Sequence, residues 1–287
     1  MMGPAPELGS LLRLSRDWLA ARGVEGAARE TDELASRALG CRRLDLYLQH
    51  DRLLDAAEQE RFRALLRRRA AGEPLQYILG SQPFRRAELA VDSRVLIPRP
   101  ETEELVELVV AREGARAGLS VLDAGTGSGC VAISLAQELP DCRVLAVDNS
   151  PDALDLARAN AERNGVDSRI EFRRMNVLTE WPEILSMVLV SNPPYVAGRD
   201  RGRLARELSH EPAEALFGGE DGLLFFKRFA AGLDKFLAPE GRCYFEIGEE
   251  QGDELLALFA GRCLDLQLLP DLTGRPRFLC GRRPGQA

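Results

Sequence analysis

The sequence of 287 residues lacks most of what a metal centre, a secreted protein or a membrane protein needs. Its six cysteines form no CxxC pair, and only His50 and His210 could join them in a mixed metal site, so the spacing argues against zinc. We therefore expect no bound metal and reduced thiols, as in a cytoplasmic protein. No stretch approaches the roughly 18 apolar residues of a transmembrane helix. The N-terminus also lacks the uninterrupted apolar core of a signal peptide.

The chain also lacks an excess of positive charge, since its formal net charge is −7 and its isoelectric point about 5.2. A protein that coats nucleic acid needs a basic footprint, because binding neutralises phosphates. The arginines within residues 61–69 could face an acidic partner, although such a cluster is more often a solvated helix face. The charge balance thus argues against direct binding of nucleic acid.

The N-terminal part of the chain has a helical pattern. Apolar residues recur at helical spacing between Leu8 and Leu19, and further helices are predicted near residues 31–40 and 56–70. Residues 84–89 and 94–97 then look like the strands of a short hairpin, which nearby prolines end. We therefore predict three parts. They are a helical domain over residues 1–82, a β-hairpin linker over 83–98 and a second domain over 99–287.

The second domain alternates between apolar strand-like runs and amphipathic helices. This alternation predicts a doubly wound α/β sheet with its ligand at the carboxyl ends of the strands. The predicted strands are residues 120–123, 143–148, 170–173, 187–191, 242–247, 264–268 and 277–280, and the predicted helices are 131–138, 151–164, 223–237 and 251–259.

A glycine-rich segment joins the first predicted strand to the following helix and consists of Gly125, Thr126, Gly127, Ser128 and Gly129. Its GxGxG spacing differs from the usual dinucleotide fingerprint, and no P-loop lysine follows. An ordinary turn is the alternative interpretation. The next strand ends at Asp148, whose carboxylate can accept hydrogen bonds from ribose hydroxyls or cap the next helix. Together these features favour a nucleoside cofactor, either NAD or S-adenosylmethionine.

The tetrapeptide Asn192-Pro193-Pro194-Tyr195 directly follows the apolar run 187–191. Two prolines remove two backbone donors, so the Asn192 side-chain oxygen and the Pro193 carbonyl can accept both hydrogens of an NH2 group. Tyr195 can lie against the planar face of that group. An amide nitrogen is a poor nucleophile, and two such acceptors would localise its lone pair and aim it at a sulfonium methyl. The tetrapeptide therefore favours S-adenosylmethionine, with a proline-rich strand exit as the structural alternative.

Motifs spread along most of the chain resemble those of the HemK-type release-factor glutamine methyltransferases. Besides the glycine loop and the tetrapeptide, they are residues 73–80 (EPLQYILG), 97–103 (IPRPETE), 210–212 (HEP), 218–223 (GGEDGL) and 246–248 (EIG). The tetrapeptide is shared with DNA and RNA amino-methyltransferases, whereas the first two of these segments are much more specific. The resemblance therefore favours a protein substrate.

The resemblance implies a seven-stranded, Rossmann-like class I methyltransferase domain, preceded by a small helical domain that helps to dock the substrate. The implied reaction transfers a methyl group from S-adenosyl-L-methionine to the side-chain nitrogen of the glutamine in the Gly-Gly-Gln loop of class I peptide chain release factors, which modulates translation termination. The implied cofactor contacts are the glycine loop, Asp148, Asn192 and the position after the third strand. This chain has Asn176 and Val177 at that position, where the family usually has Asp and a bulky residue.

We expect a cytoplasmic monomer that acts on a protein and binds neither membrane nor nucleic acid directly. Two alternatives stay open at this point. One is a nucleic-acid amino-methyltransferase that uses the same tetrapeptide. The other is a nucleotide-binding or release-factor-binding module without turnover.

Overall fold

The computed structural model describes residues 6–203 and 205–285, which form two compact units. The first unit comprises the described residues up to Gly80 together with Arg206–His210, and the second comprises the rest of the described chain. Across these described residues, no helix combines the length and the apolar character needed to cross a bilayer.

The first unit consists of helices packed around a core that includes the buried Leu8, Leu34 and Phe62. The longest helix starts with a capping box, in which the Glu58 amide donates to the Asp55 carboxylate at 2.7 Å and the Asp55 amide donates to Glu58 at 3.1 Å. The helices are α1 (Leu8–Ala20), α2 (Ala27–Leu39), α3 (Arg43–Leu48), α4 (Ala56–Ala70) and α5 (Leu75–Leu79).

The segment Arg206–His210, a 3-10 helix, belongs to this first unit although it is distant in sequence. The buried Arg69 of α4 explains the association, because its guanidinium forms ion pairs with both Glu30 and Glu207. A buried arginine needs such partners, since an unpaired buried charge is costly.

The second unit begins with a hairpin of β1 (Ser81–Phe84) and β2 (Ala87–Ala90), which pair antiparallel. The predicted second strand at residues 94–97 is wrong, since this stretch is a turn and an extended segment without strand pairing. Its backbone is held by a side chain instead, because the Ile97 amide donates to the buried Glu211 carboxylate at 3.0 Å. The predicted first strand is interrupted by a turn, where Arg85 adopts a φ of 48°.

A seven-stranded sheet forms the centre of the second unit, in the order β5-β4-β3-β6-β7-β9-β8. The four pairings among β5, β4, β3, β6 and β7 are parallel, whereas β9 pairs antiparallel with both β7 and β8. The strands are β3 (Ser120–Ala124), β4 (Arg143–Asp148), β5 (Ile170–Arg174), β6 (Ser186–Ser191), β7 (Leu237–Glu246), β8 (Leu264–Pro270) and β9 (Pro276–Arg282). The predicted fold class is confirmed. The chain reverses its direction of strand addition between β3 and β6, which is where such sheets bind ligands.

Helices cover both faces of this sheet. They are α6 (Pro100–Glu113), α7 (Cys130–Glu138), α8 (Pro151–Arg163), α9 (Ala213–Leu216), α10 (Leu224–Ala231), α11 (Leu233–Phe236) and α12 (Gly252–Phe259), with 3-10 helices at Asp167–Arg169 and Gly198–Arg203. The single helix predicted over residues 223–237 is in fact two helices. They separate at Gly232, where an added Cβ would lie 2.1 Å from the Trp181 ring, so the tryptophan occupies the space that a side chain would need.

Candidate active site

A cavity lies at the carboxyl ends of β3, β4 and β6, where the direction of strand addition reverses. Its wall combines the glycine loop, the end of β4, the segment after β5 and the start of the proline-rich tetrapeptide. The predicted site residues that line it are Gly125, Gly127, Asp148, Asn176, Val177, Asn192 and Pro194. Four sequence segments that are far apart along the chain therefore meet at one cavity.

The glycine loop presents bare backbone to this cavity. Gly125 and Gly127 have φ values of +81° and +53°, and a Cβ added to either would meet no atom of the described part of the chain within 4 Å. These backbone conformations favour glycine. The missing side chains also let a ligand approach the peptide groups closely.

The other three residues of the glycine loop pack toward the protein interior. Thr126 and Ser128 are buried, and Gly129 packs against α8, where an added Cβ would lie 3.3 Å from the Ala157 Cβ. The Thr126 hydroxyl donates to the buried Asp123 carboxylate at 2.7 Å. Burial raises the pKa of Asp123 to about 7, although its hydrogen bonds oppose the shift. Asp123 thus anchors the glycine loop through Thr126.

Asp148 lies at the cavity wall and is already bound to the loop. Its carboxylate accepts from the Gly127 amide at 3.0 Å and from the Ser150 amide at 3.0 Å. Burial raises its pKa, whereas these backbone donors lower it. The carboxylate oxygens retain lone pairs that can accept further hydrogen bonds from a ligand.

The segment after β5 forms the apolar part of the wall. Met175 and Val177 are buried, and the Asn176 side-chain oxygen accepts from the Leu178 amide at 3.0 Å. Arg228 of α10 fastens this segment, because its guanidinium donates to the Val177 and Glu180 carbonyls at 2.9 Å each. The guanidinium carbon also lies 3.1 Å from the centre of the Trp181 ring, an arrangement that favours cation–π attraction.

Asn192 is the first member of a chain of hydrogen bonds that enters the protein interior. Its side-chain nitrogen donates to the Thr102 hydroxyl at 3.0 Å. The Thr102 hydroxyl in turn donates to the Glu246 carboxylate at 2.7 Å, and the Tyr195 hydroxyl donates to the other oxygen of Glu246 at 3.2 Å. Three elements thereby converge on the tetrapeptide, namely α6, β7 and the exit of β6.

Glu246 is a buried carboxylate, only 1% exposed. Burial raises its pKa to about 7, while the Thr102 and Tyr195 hydroxyls and the charge of Arg277 lower it and Glu101 raises it. Burial likewise raises the pKa of Tyr195, so the phenol stays neutral and donates. The carboxylate is therefore near its titration point at neutral pH.

The backbone of the tetrapeptide is held by several contacts. The Ser191 hydroxyl donates to the Ala124 carbonyl at 2.5 Å, which joins the exits of β6 and β3. Gln251 donates to the Tyr195 carbonyl at 3.1 Å. Gly222 allows this close packing, because an added Cβ would lie 2.3 Å from the same carbonyl oxygen. The tetrapeptide is thus rigidly placed beside the cavity.

Sequence reasoning missed four side chains that shape this site, namely Thr102, Asp123, Glu211 and Glu246. Thr102, Glu211 and Glu246 lie within the segments that carried the family resemblance, which was the available signal. Glu211 joins two of those segments, because its carboxylate accepts from the Ile97 amide and pairs with Arg99. Asp123 is the second-last residue of β3, close to the glycine loop, and its position was the only signal for it.

Comparison with known proteins gives consistent results. The chain matches two family models, PrmC N-terminal domain over residues 10–80 and Methyltransferase small domain over residues 102–230. It is 39% identical to the release factor glutamine methyltransferase of Geobacter sulfurreducens, over 98% of this chain and 99% of that protein. It is 41% identical to the release factor glutamine methyltransferase of Koribacter versatilis, over 86% of this chain and 88% of that protein.

A solved structure of a methyltransferase from Pyrococcus furiosus also resembles this chain. The TM-score is 0.53 at 16% identity, covering 69% of this chain and 89% of that one. At this identity the likeness concerns the fold alone, which is that of class I methyltransferases.

Proposed function

Since this chain belongs to the family of release factor glutamine methyltransferases, we propose that it transfers a methyl group from S-adenosyl-L-methionine to a glutamine side-chain nitrogen of a peptide chain release factor. The orientation of Asn192 carries this proposal. Thr102 holds the amide nitrogen of Asn192, so the amide oxygen is the end that can accept a hydrogen bond from a substrate in the cavity.

The residues around the cavity fit the cofactor. Asp148 offers acceptors for ribose hydroxyls, and the Gly125 and Gly127 peptides are open to close approach. Asn176 and Val177 offer a polar edge and an apolar surface for an adenine ring. When bound, the cofactor supplies an electrophilic methyl group on a sulfonium sulfur.

The tetrapeptide would prepare the glutamine for reaction. The Asn192 oxygen and the Pro193 carbonyl accept the two hydrogens of the substrate NH2 group, because neither acceptor has a competing donor from the prolines that follow. Holding both hydrogens orients the nitrogen and favours localisation of its lone pair. Pro194 belongs to the cavity wall, and we place Tyr195 against the planar face of the substrate amide, where it would exclude water.

We place the substrate glutamine in the Gly-Gly-Gln loop of class I release factors, with the helical first unit contributing to docking. We further propose that the protein acts as a cytoplasmic monomer. Membership of the family supports the proposed substrate. Size-exclusion chromatography with light scattering would test whether the protein is a monomer.

A methylation assay tests the proposed function directly. The protein is incubated with methyl-labelled S-adenosyl-L-methionine and an unmethylated class I release factor. The matched control is the same factor with alanine at the glutamine of Gly-Gly-Gln. We expect label in the intact factor alone, and loss of labelling with the Asn192→Ala variant.

The same assay decides between the alternatives. Label only in DNA or RNA would contradict the proposal and favour a nucleic-acid amino-methyltransferase. Cofactor binding without label in any substrate would favour a binding module without turnover.

A further inference from the structure

We propose that Thr102 and Glu246 are positioning residues that hold the Asn192 amide with its oxygen toward the substrate. The inference deepens the proposed function and rests on it, since it concerns how the acceptor of the substrate NH2 group is kept in its productive orientation. Neither side chain lines the cavity, so both would act through Asn192.

The need for such positioning follows from the symmetry of an asparagine side chain. The amide oxygen and the amide NH2 group have nearly the same shape, so rotation by 180° exchanges an acceptor for a donor. A donor at the cavity would face the hydrogens of the substrate NH2 group and could not bind them. Sterics alone therefore do not select the productive orientation, and a hydrogen-bonding partner must select it.

The ionised form of Glu246 makes that selection. A carboxylate only accepts hydrogen bonds, so the Thr102 hydroxyl, 2.7 Å away, must donate its single proton to Glu246. The oxygen of Thr102 is then left as an acceptor for the Asn192 NH2 group at 3.0 Å. The charge of Glu246 thus determines the direction in which hydrogen bonds are donated from Asn192 through Thr102 to Glu246.

Protonation of Glu246 removes this selection. A protonated carboxyl can donate to Thr102, whose own proton is then free to go to the Asn192 oxygen if the amide rotates. The rotated amide presents NH2 to the cavity. Protonation therefore allows the unproductive orientation to be populated, and activity should depend on ionised Glu246.

The surroundings of Glu246 bring its titration close to neutral pH, where enzyme activity can be measured. The titratable and charged groups that act on it are Tyr195 after β6, Arg277 on β9 and Glu101 on α6, together with the Thr102 hydroxyl. Burial raises the pKa of Glu246 to about 7. Tyr195 can donate whether Glu246 is ionised or protonated, because the pKa of Tyr195 is itself raised further above neutrality.

Substitutions at Thr102 test this hydrogen-bond relay, which runs from Asn192 through Thr102 to Glu246. Thr102→Val keeps the shape but removes the hydroxyl, and we expect kcat with release factor to fall by about 10- to 100-fold, as for the loss of an outer partner that orients a reacting group. The KM for the cofactor should stay within about threefold, and Thr102→Ser should restore most of kcat. Equal kcat for Thr102→Val and the unsubstituted protein would overturn the proposal.

Thr31→Val is the matched control. Thr31 is a fully buried threonine of the first unit whose hydroxyl has no hydrogen-bond partner among the described residues. The same substitution there removes an equal group from the interior without touching the relay, so kcat should not change.

The pH dependence of kcat separates positioning from a purely structural role. The unsubstituted enzyme should gain activity as pH rises through about 7, and Glu246→Gln should lose this rise because the residue no longer titrates. Persistence of the same rise in Glu246→Gln would contradict the proposal.

A spectroscopic readout makes the test independent of catalysis. The side-chain amide signal of Asn192 in a 15N-labelled protein, assigned from its absence in Asn192→Asp, should shift with pH in the unsubstituted protein but not in Glu246→Gln or Thr102→Val. An identical titration in all three would overturn the relay. If the protein methylated no release factor, the proposed function would fail, while this titration would still decide the role of Thr102 and Glu246.

Discussion

The Gly127 amide donates a hydrogen bond of 3.0 Å to the Asp148 carboxylate, so the glycine loop and the end of β4 form one continuous wall of the cavity. Asp148 consequently has two roles. It stabilises the loop conformation, and its remaining lone pairs are available to the ribose of the cofactor.

Asp148→Ala should weaken cofactor binding, because it removes both the ribose acceptor and the partner of Gly127. We expect the Kd for S-adenosyl-L-methionine to rise about 10- to 100-fold, which corresponds to 1.4–2.8 kcal/mol at about 1.4 kcal/mol per tenfold. Isothermal titration calorimetry measures this change. Asp155→Ala on α8 is the control, since Asp155 is exposed and forms an ion pair with Arg158. An unchanged Kd for Asp148→Ala would contradict the ribose assignment.

Asn192→Ala should lower the rate of methyl transfer by about 100-fold or more, by analogy with the loss of one oriented polar group at a reacting centre. Cofactor affinity should change much less, because Asn192 forms only one part of the cavity wall. Single-turnover labelling of a release factor, combined with cofactor titration, separates the two effects. Retention of the full rate would exclude Asn192 from the chemistry.

The substitution Glu246→Gln should raise the stability of the protein more at pH 8 than at pH 5. Burial raises the pKa of Glu246 from its ordinary 4.5 to about 7, so the folded state retains a proton that the unfolded state loses between these values. Stability therefore falls as pH rises through this window, by up to about 3 kcal/mol at about 1.4 kcal/mol per pKa unit. Thermal unfolding at the two pH values measures the difference. An equal shift of Tm at both would show that folding does not raise the pKa of Glu246.

Arg228→Met should weaken cofactor binding with little effect on the rate at saturation. Arg228 donates to the Val177 and Glu180 carbonyls, and its loss frees the segment that forms the apolar wall of the cavity. We expect the KM for the cofactor to rise about 3- to 10-fold, or roughly 1 kcal/mol for the lost hydrogen bonds. Trp181 fluorescence in a Trp18→Phe background should report the same loosening. Arg228→Lys keeps the charge but not the two-pronged geometry, so it should resemble Arg228→Met.

Much of the second unit was predictable because parallel strands that are buried on both faces give apolar runs. All seven predicted strands of the sheet occur, with ends that differ by a few residues. The helix predicted over residues 223–237 is divided at Gly232, which packs against Trp181. Trp181 lies about fifty positions earlier in the chain. A local sequence pattern carries no information about contacts between residues that are this far apart in sequence.

The hairpin shows the same limit, through a contact between residues that are even further apart in sequence. Residues 94–97 contain apolar side chains that suit a strand, yet the Ile97 amide is taken by Glu211, which is 114 residues away in sequence. A backbone donor that a side chain occupies is no longer available for strand pairing. The strand that pairs with β1 is instead Ala87–Ala90.

For the site, the amino-acid sequence by itself determined which functional groups are present and roughly where each strand places them. A glycine loop, Asp148 and the tetrapeptide each follow a strand, and the carboxyl ends of parallel strands meet at one edge. Only the tertiary structure decided which way Asn192 is turned and what turns it. Thr102 and Glu246 are 90 and 54 positions from Asn192 in sequence, and a hydrogen-bond chain of this kind depends on distances that exist only once α6, β6 and β7 are packed together.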